Sequence, residues 1–358
     1  MKKFLIISTT GMGDTLWSTP AIRAIKNKIP HSQIDFLIQP QWQSLFNRNK
    51  NISHLFFYYP QWYRQLIILP NLLRFHYDHV FIFHANKDIR RILPLLRCNF
   101  IWSHQYPDAI PGILDNQTIR IDKPIHAILR RIEMLKKIQV PPYGTNMDIV
   151  IDQKNYQNAL SYLKKNDIKP KEFIYLNVGG SLPHKQWPVD QFIALSKIIL
   201  KNTSLSIVFG GGPDDIHRIN LINNKIQQER IVFAKQRTLG ENCALINNAK
   251  IIITPDSGPM HIGFALKVPT ISLWPTIGLI KSTGTLGAID PMNGPDYCGP
   301  LNIDNSLSCV LRGNFFNKSN IVSTSIYSNL NNTEVKLEPS HLEAISVDDV
   351  WEKTLKFL

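Results

Sequence analysis

Short apolar runs alternate with amphipathic runs along most of the 358 residues, and that alternation places the chain in the α/β class. "FLIIST" (4–9), "QIDFLIQ" (33–39), "HLFFYY" (54–59) and "HVFIFHA" (79–85) read as strands. Over 140–157 the pattern breaks into "VPPYGTNMDIVIDQKNY", whose Pro, Asn and Asp content predicts a linker. A second series follows: "FIYLNVGG" (173–180), "LSIVFGGG" (205–212), "RIVFA" (230–234), "IIIT" (251–254) and "TISLW" (270–274). Two halves of similar size predict two Rossmann-like domains facing a cleft, residues 1–150 and 151–345. Residues 346–358 form a terminal helix with Ser346 as its N-cap. Between them, 280–335 is poor in periodicity and rich in Asn, Ser and Gly.

Composition narrows the class of function. With 44% hydrophobic and 19% charged residues the chain reads as globular, and no apolar run approaches the ~18–20 residues of a membrane-spanning helix. "MKKFLII" has the basic-then-apolar start of a signal peptide, but it is too short and lacks a small-residue cleavage pattern. It is read as the first strand of a cytoplasmic protein. Cys98, Cys243, Cys298 and Cys309 show no paired spacing and are expected to be core thiols. The net charge of +13 implies acidic partners, yet no nucleic-acid motif accompanies it. Two basic segments, "KDIRRILPLLR" (87–97) and "HAILRRIEMLKK" (126–137), read as helices with solvated charged faces; in the second, Ile128, Leu129, Ile132 and Leu135 form the apolar face.

In such folds ligands bind beyond the carboxyl ends of the strands, so the strand-to-helix junctions carry the candidate chemistry. In "STTGMGDTLWSTPAIRAIK" (8–26), Gly11 and Gly13 allow close approach of a ligand. Asp14, at the helix start, is either a cap or a general base facing the cleft. In "NVGGSLPHKQWP" (177–188), backbone donors, Ser181 and Lys185 converge as a diphosphate site would require, although a solvent-facing Lys fits equally. "VFGGGPDDIHR" (208–218) fails the dinucleotide spacing because Asp215 stands where the last Gly belongs; Asp214 and Asp215 either bind a ribose or cap the next helix. In "TPDSGPMH" (254–261), Asp256 or Ser257 can cap, Gly258 permits close approach, and Pro259 sits in the first turn without harm. The remaining amides and the dipole favour an anion, with His261 one turn in as a phosphate donor or a plain helix residue.

In order along the chain, "GMGDTLWSTPAIRAIK", "HAILRRIEMLKKIQV", "HKQWPVDQFIALSK", "FGGGPDD" and "TLGENCALINNAKIIITPDSGPMHIGFALKVPTISLWPT" resemble glycosyltransferase family 9, the ADP-heptose:lipopolysaccharide heptosyltransferases and their relatives. Beyond "NGPDYCGPLN" (293–302), the 280–335 stretch departs from the family's ending. The resemblance implies a two-domain GT-B fold, with donor held mainly by the C-terminal domain, acceptor by the N-terminal one, and the last helix crossing back to the first domain. It implies Asp14 as catalytic base, Ser181 and Lys185 on the donor diphosphate, and Asp256, Ser257, Gly258 and His261 at the phosphate-binding helix start. Asp214 or Asp215 would meet the ribose, Arg237 the adenine, and Gly11, Gly13 and Arg64 the acceptor side.

The implied reaction is inverting, metal-independent transfer of heptose from ADP-heptose to an inner-core lipopolysaccharide, with no cofactor besides the donor. The partners would be an ADP-sugar, an anionic glycolipid and the cytoplasmic face of the inner membrane, and no nucleic acid. A GT-B transferase using another nucleotide sugar and an NAD(P)-dependent oxidoreductase are the competing readings.

Overall fold

Each half of the chain builds one six-stranded sheet, parallel throughout. The computed structural model describes residues 1–104, 118–119, 125–180, 182, 185–275, 277–279, 286–288, 294–301, 306–313 and 342–358. In the first half, β1 (Lys3–Ser8), β2 (Gln33–Ile38), β3 (His54–Phe57), β4 (Tyr77–His84), β5 (Cys98–His104) and β6 (Thr118–Ile119) run in the order β3-β2-β1-β4-β5-β6. Around them lie α1 (Met12–Leu16), α2 (Thr19–Lys28), α3 (Gln43–Phe46), α4 (Trp62–Leu73) and α5 (Ala127–Met134).

The second half has α6 (Gln153–Lys165), β7 (Phe173–Asn177), α7 (Val189–Asn202), β8 (Ser206–Gly210), α8 (Ile216–Lys225), β9 (Ile231–Phe233) and α9 (Leu239–Asn248). It continues with β10 (Ile251–Pro255), α10 (Gly258–Ala265), β11 (Thr270–Trp274), an antiparallel pair β12 (Ile277–Leu279) and β13 (Leu286–Ala288), α11 (Pro295–Cys298), β14 (Ser308–Arg312) and α12 (Val347–Leu355). Its sheet order is β14-β11-β10-β7-β8-β9.

Helices cover both faces of a parallel sheet, so its central strands must be apolar on both sides. All six residues of β2 and all five of β7, β10 and β11 are buried, which is why these strands are largely apolar and why the buried Asp35 of β2 accepts from the Gln33 side-chain amide and the Tyr77 hydroxyl. Each sheet reverses its strand order once, between β1 and β4 and between β7 and β10. Crevices outside the carboxyl ends of such neighbours are where α/β folds hold ligands. The halves meet through α1 on α10 and α3 on α9, and one core cluster runs across both, from Phe4 and Leu16 to Ala244 and Met260. This is the expected α/β, GT-B arrangement.

Four expectations are corrected. The terminal helix does not return to the first domain: Val350 lies in the core cluster of the second half, Trp351 packs against that cluster, and α12 rests on α7 and β11. The Trp187 indole donates to Ile345 O at 3.0 Å and fixes the approach to α12. Residues 87–97 form two short 3₁₀ turns rather than one helix, because Pro94 lacks the amide that would continue it. The segment 126–137 is helical, but its arginines are not solvated: Arg130 and Arg131 are buried, Arg131 to 1% exposure. Finally, α6 begins at Gln153 with Asp152 accepting from the Lys154 amide, so the helix claims the end of the predicted linker.

No cysteine is disulfide-bonded; Cys243 is buried and the other three are half-buried.

Candidate active site at the two switch points

At the β1/β4 switch point the chain turns from Ser8 into α1 and places Asp14 in that helix's first turn. The Thr10 hydroxyl donates to Asp14 Oδ2 at 3.1 Å and lies 2.6 Å from His84 Nδ1, at the end of β4. A hydroxyl carries one proton, so with Thr10 donating to Asp14, His84 donates to Thr10 from Nδ1. His84 Nδ1 is itself 3.6 Å from Asp14 Oδ2. From α5, the Arg131 guanidinium donates to Asp14 O at 3.1 Å, lies 3.5 Å from Oδ1 and stacks over Trp17.

Burial alone would raise the Asp14 carboxyl, but His84, Arg131 and the Thr10 hydroxyl together outweigh it and hold the group below its ordinary value. Burial lowers Arg131 to about 10, with Asp14 pulling it back up, so it stays charged at neutral pH. Asp14 is therefore an ionised carboxylate with a cation behind it. A helix cap is no sufficient description of it, since its side chain bonds outside α1.

At the β7/β10 switch point Asn177 ends β7, and its amide reaches Gly179 O, Thr254 Oγ1 and Ser257 Oγ at 3.0–3.1 Å. That ties the loop after β7 to the turn before α10. Lys185 pairs with the Asp256 carboxylate across the same gap. An ammonium has three donors, so the pair neutralises Asp256 and leaves donors for a further anion. Ser257 holds the N-cap position of α10 but makes no side-chain cap bond, its hydroxyl donating to Pro255 O, and among the described residues no side chain bonds the first-turn amides. Pro259 has no amide hydrogen and the Met260 amide donates to Ser257 O, so the Gly258 amide and the dipole behind it are what the helix start offers an anion.

The two helix starts interlock. A Cβ on Gly13 would lie 2.6 Å from His261 Cδ2 and Nε2, and one on Gly258 would lie 2.7 Å from Met12 Sδ. Gly13 therefore serves close approach between domains. The neighbour of Gly11 is likewise protein, with its Cβ position 3.2 Å from Asp14 Oδ2. His261 is buried edge-on against Trp17, with ring centroids 5.0 Å apart, and against Phe264. Burial lowers it to about 3, so it is neutral, and its Nδ1 has no hydrogen-bond partner among the described residues. Gly13→Ala is expected to destabilise the protein by about 1–3 kcal/mol, the range for overpacking, because Trp17 and Phe264 leave the imidazole little room. A thermal-unfolding midpoint equal to the parent's would refute that packing.

The other predicted residues separate. Asp215 folds into the glycine turn: its Oδ2 accepts from the Gly212 amide at 2.7 Å, and a Cβ on Gly179 would collide with it. Asp214 is exposed. Arg237 stacks on Tyr162 of α6 at 4.3 Å and lies 3.9 Å from Glu241. The Asn242 amide reaches Gly211 O at 3.3 Å, which brings the start of α9 beside that turn. Arg64 is exposed on α4 over Tyr59, and no contact among the described residues joins it to Asp14. Ser181 lies outside the described residues, as does much of 280–335. From that stretch α11 is described, and Gly299 just after it accepts from His126 Nε2 at 3.1 Å, linking it to α5. A cavity of about 710 Å³ lies at the linker between Arg23, Arg48, Asp148 and Lys267, and none of the predicted residues lines it.

Thr10, His84, Arg131, Asn177 and Tyr162 were not singled out from the sequence. A polar residue at the end of an apolar run was the available signal for His84 and Asn177; nothing local marked Arg131 or Tyr162.

The sequence model of glycosyltransferase family 9 (heptosyltransferase) matches residues 97–277, just over half of the chain. The chain belongs to glycosyltransferase family 9. As a member it is an enzyme of glycosyl transfer, which removes the oxidoreductase reading. It is 24% identical over 277 residues to lipopolysaccharide heptosyltransferase 3 of Escherichia coli K12, covering 73% of this chain and 79% of that one. Its fold resembles that of the glycosyl transferase family 9 protein of Veillonella parvula, with a TM-score of 0.77, 20% identity and coverage of 99% and 97%. The ADP-heptose lps heptosyltransferase II of E. coli superposes with a TM-score of 0.73 at 18% identity, covering 100% and 98%.

Proposed function

We propose that this family 9 enzyme transfers heptose, with inversion, from ADP-heptose to a hydroxyl of a lipopolysaccharide inner-core acceptor. The observation that carries the reading is the facing of an ionised Asp14 at one switch point and a Lys185-bearing, uncapped helix start at the other. Asp14 takes the acceptor proton as that oxygen bonds the anomeric carbon; the bond from that carbon to the diphosphate breaks, and ADP leaves with the electron pair. Lys185 and the Gly258 amide at the start of α10 stabilise the charge growing on the diphosphate, with Ser181 as a further donor. Such preorganised donors are worth ~3–4 kcal/mol each. That is charge stabilisation a metal would otherwise supply, so the transfer is proposed to need none.

Arg237, held flat on Tyr162 beside the glycine turn, offers a face for the adenine. Asp214 is the better ribose candidate, since the Asp215 carboxylate is engaged by Gly212. The net charge of +13 suits two anionic substrates and peripheral contact with the cytoplasmic face of the inner membrane.

Relatives named as heptosyltransferases, one of them for ADP-heptose, support this donor. A thermal-shift panel tests it: ADP is expected to raise the unfolding midpoint, with UDP, GDP and NAD leaving it unmoved. Selective stabilisation by UDP or GDP would instead assign another nucleotide sugar.

A further inference from the structure

Helix α4 has two apolar sides, and among the described residues the fold covers one. Gln65, Ile68 and Leu72 are buried, the latter two in a cluster with Ile89, Ile92 and Leu93 from the segment after β4. On the other side Tyr63, Leu66, Ile67 and Pro70 are exposed, Leu66 to 56% and Ile67 to 69%. Their i, i+3, i+4, i+7 spacing confines them to an arc of about 100°, opposite the buried residues.

Charge distinguishes this stripe from a chance apolar surface. All six basic residues between 61 and 97, among them Arg74, Arg90 and Arg91, are exposed, against two acids, Asp78 and Asp88. Asp78 accepts the Lys3 amide and Asp88 is half-buried. Both segments follow strands on the carboxyl side of the sheet, and Lys87 is three residues past His84, which touches Thr10 of the Asp14 network. The surface therefore begins beside the acceptor end of the site.

We propose that the exposed stripe of α4, with its surrounding arginines, docks the first domain on an anionic lipid bilayer. Leucine and isoleucine enter the acyl boundary while the guanidinium groups meet phosphate headgroups. A second copy of the chain is disfavoured, because two-fold pairing of this face would set its cations against their own kind. The biological purpose rests on the reading of a lipid-anchored acceptor, but docking is measured without donor or acceptor, so the two stand or fall separately.

The full-length protein is expected to co-sediment with vesicles of phosphatidylethanolamine and phosphatidylglycerol, not with phosphatidylcholine alone, and to be released by salt. Leu66→Glu/Ile67→Glu is expected to weaken that binding about tenfold or more at an unchanged unfolding midpoint, since both side chains lie outside the core. Should that pair unfold the protein, Ile67→Gln alone is expected to lower vesicle binding several-fold. Failure of the parent to bind anionic vesicles, or binding by the folded variants equal to the parent's, would overturn the proposal. So would a parent dimer, seen by light scattering, that becomes monomeric in the variant while vesicle binding is absent.

Discussion

Asp14→Asn is expected to lower heptose transfer by about 10²–10⁴-fold, the usual contribution of a general base, while leaving the affinity for ADP within a few-fold. The substitution keeps the shape and the Thr10 contact but removes the group able to take a proton. ADP binding is expected to survive because the proposed donor contacts belong to the second half, from Lys185 to the start of α10. The carboxyl is held below its ordinary value, so the base stays ionised as the pH falls through the usual carboxylate range. The acid limb of the parent's rate is accordingly expected below that range, wherever the fold persists. Parent-like turnover by Asp14→Asn in a single-turnover assay would remove Asp14 from the mechanism.

Lys185→Ala is expected to reduce both donor affinity and turnover, the latter by about 10²–10³-fold if its ammonium meets the leaving diphosphate. It also strips Asp256 of its counter-charge. Breaking a fully buried pair costs about 3–5 kcal/mol; this one costs less, because the Lys185 side chain is 23% exposed and that of Asp256 11%. Lys185→Ala/Asp256→Asn separates the two effects. The double variant has no orphaned carboxylate and is expected to regain stability in a denaturant titration without regaining ADP affinity by calorimetry. Recovery of both would reduce Lys185 to a structural partner of Asp256.

Both effects turn on residues that local sequence grammar flagged, at junctions where a Gly-containing turn or a Pro-bearing first turn follows an apolar run. They stood out as candidates because a strand end, a helix start and a charged side chain within a few residues already suggest a site. The partners were not. Arg131 sits on a helix whose apolar face is plain in the sequence, and the rule that charges take the opposite, solvated face misplaces it. That face is closed off by Asp14 and Trp17, over a hundred residues away in the chain. His261 resembled a phosphate donor for a similar reason: its neighbours along α10 point to an anion, whereas its contact with Gly13 comes from the other domain.

The terminal helix followed the same division. Its N-cap at Ser346 and its length could be read locally, since capping depends on residues three apart. Which domain it joins depended on Trp187 and α7, at positions that no local pattern connects to it.

By itself, then, the order of residues determined two parallel-sheet domains, the junctions that are candidates for the chemistry and the family resemblance, because periodicity, turns and caps act over a few residues. Only the tertiary structure decided that Asp14 is backed by Arg131 and His84, that Lys185 already holds Asp256, and that Gly13 makes room for His261. It also decided that Leu66 and Ile67 on one side of α4 stay exposed. Each of these depends on burial and electrostatics between segments far apart in the chain, and those forces have no local signature.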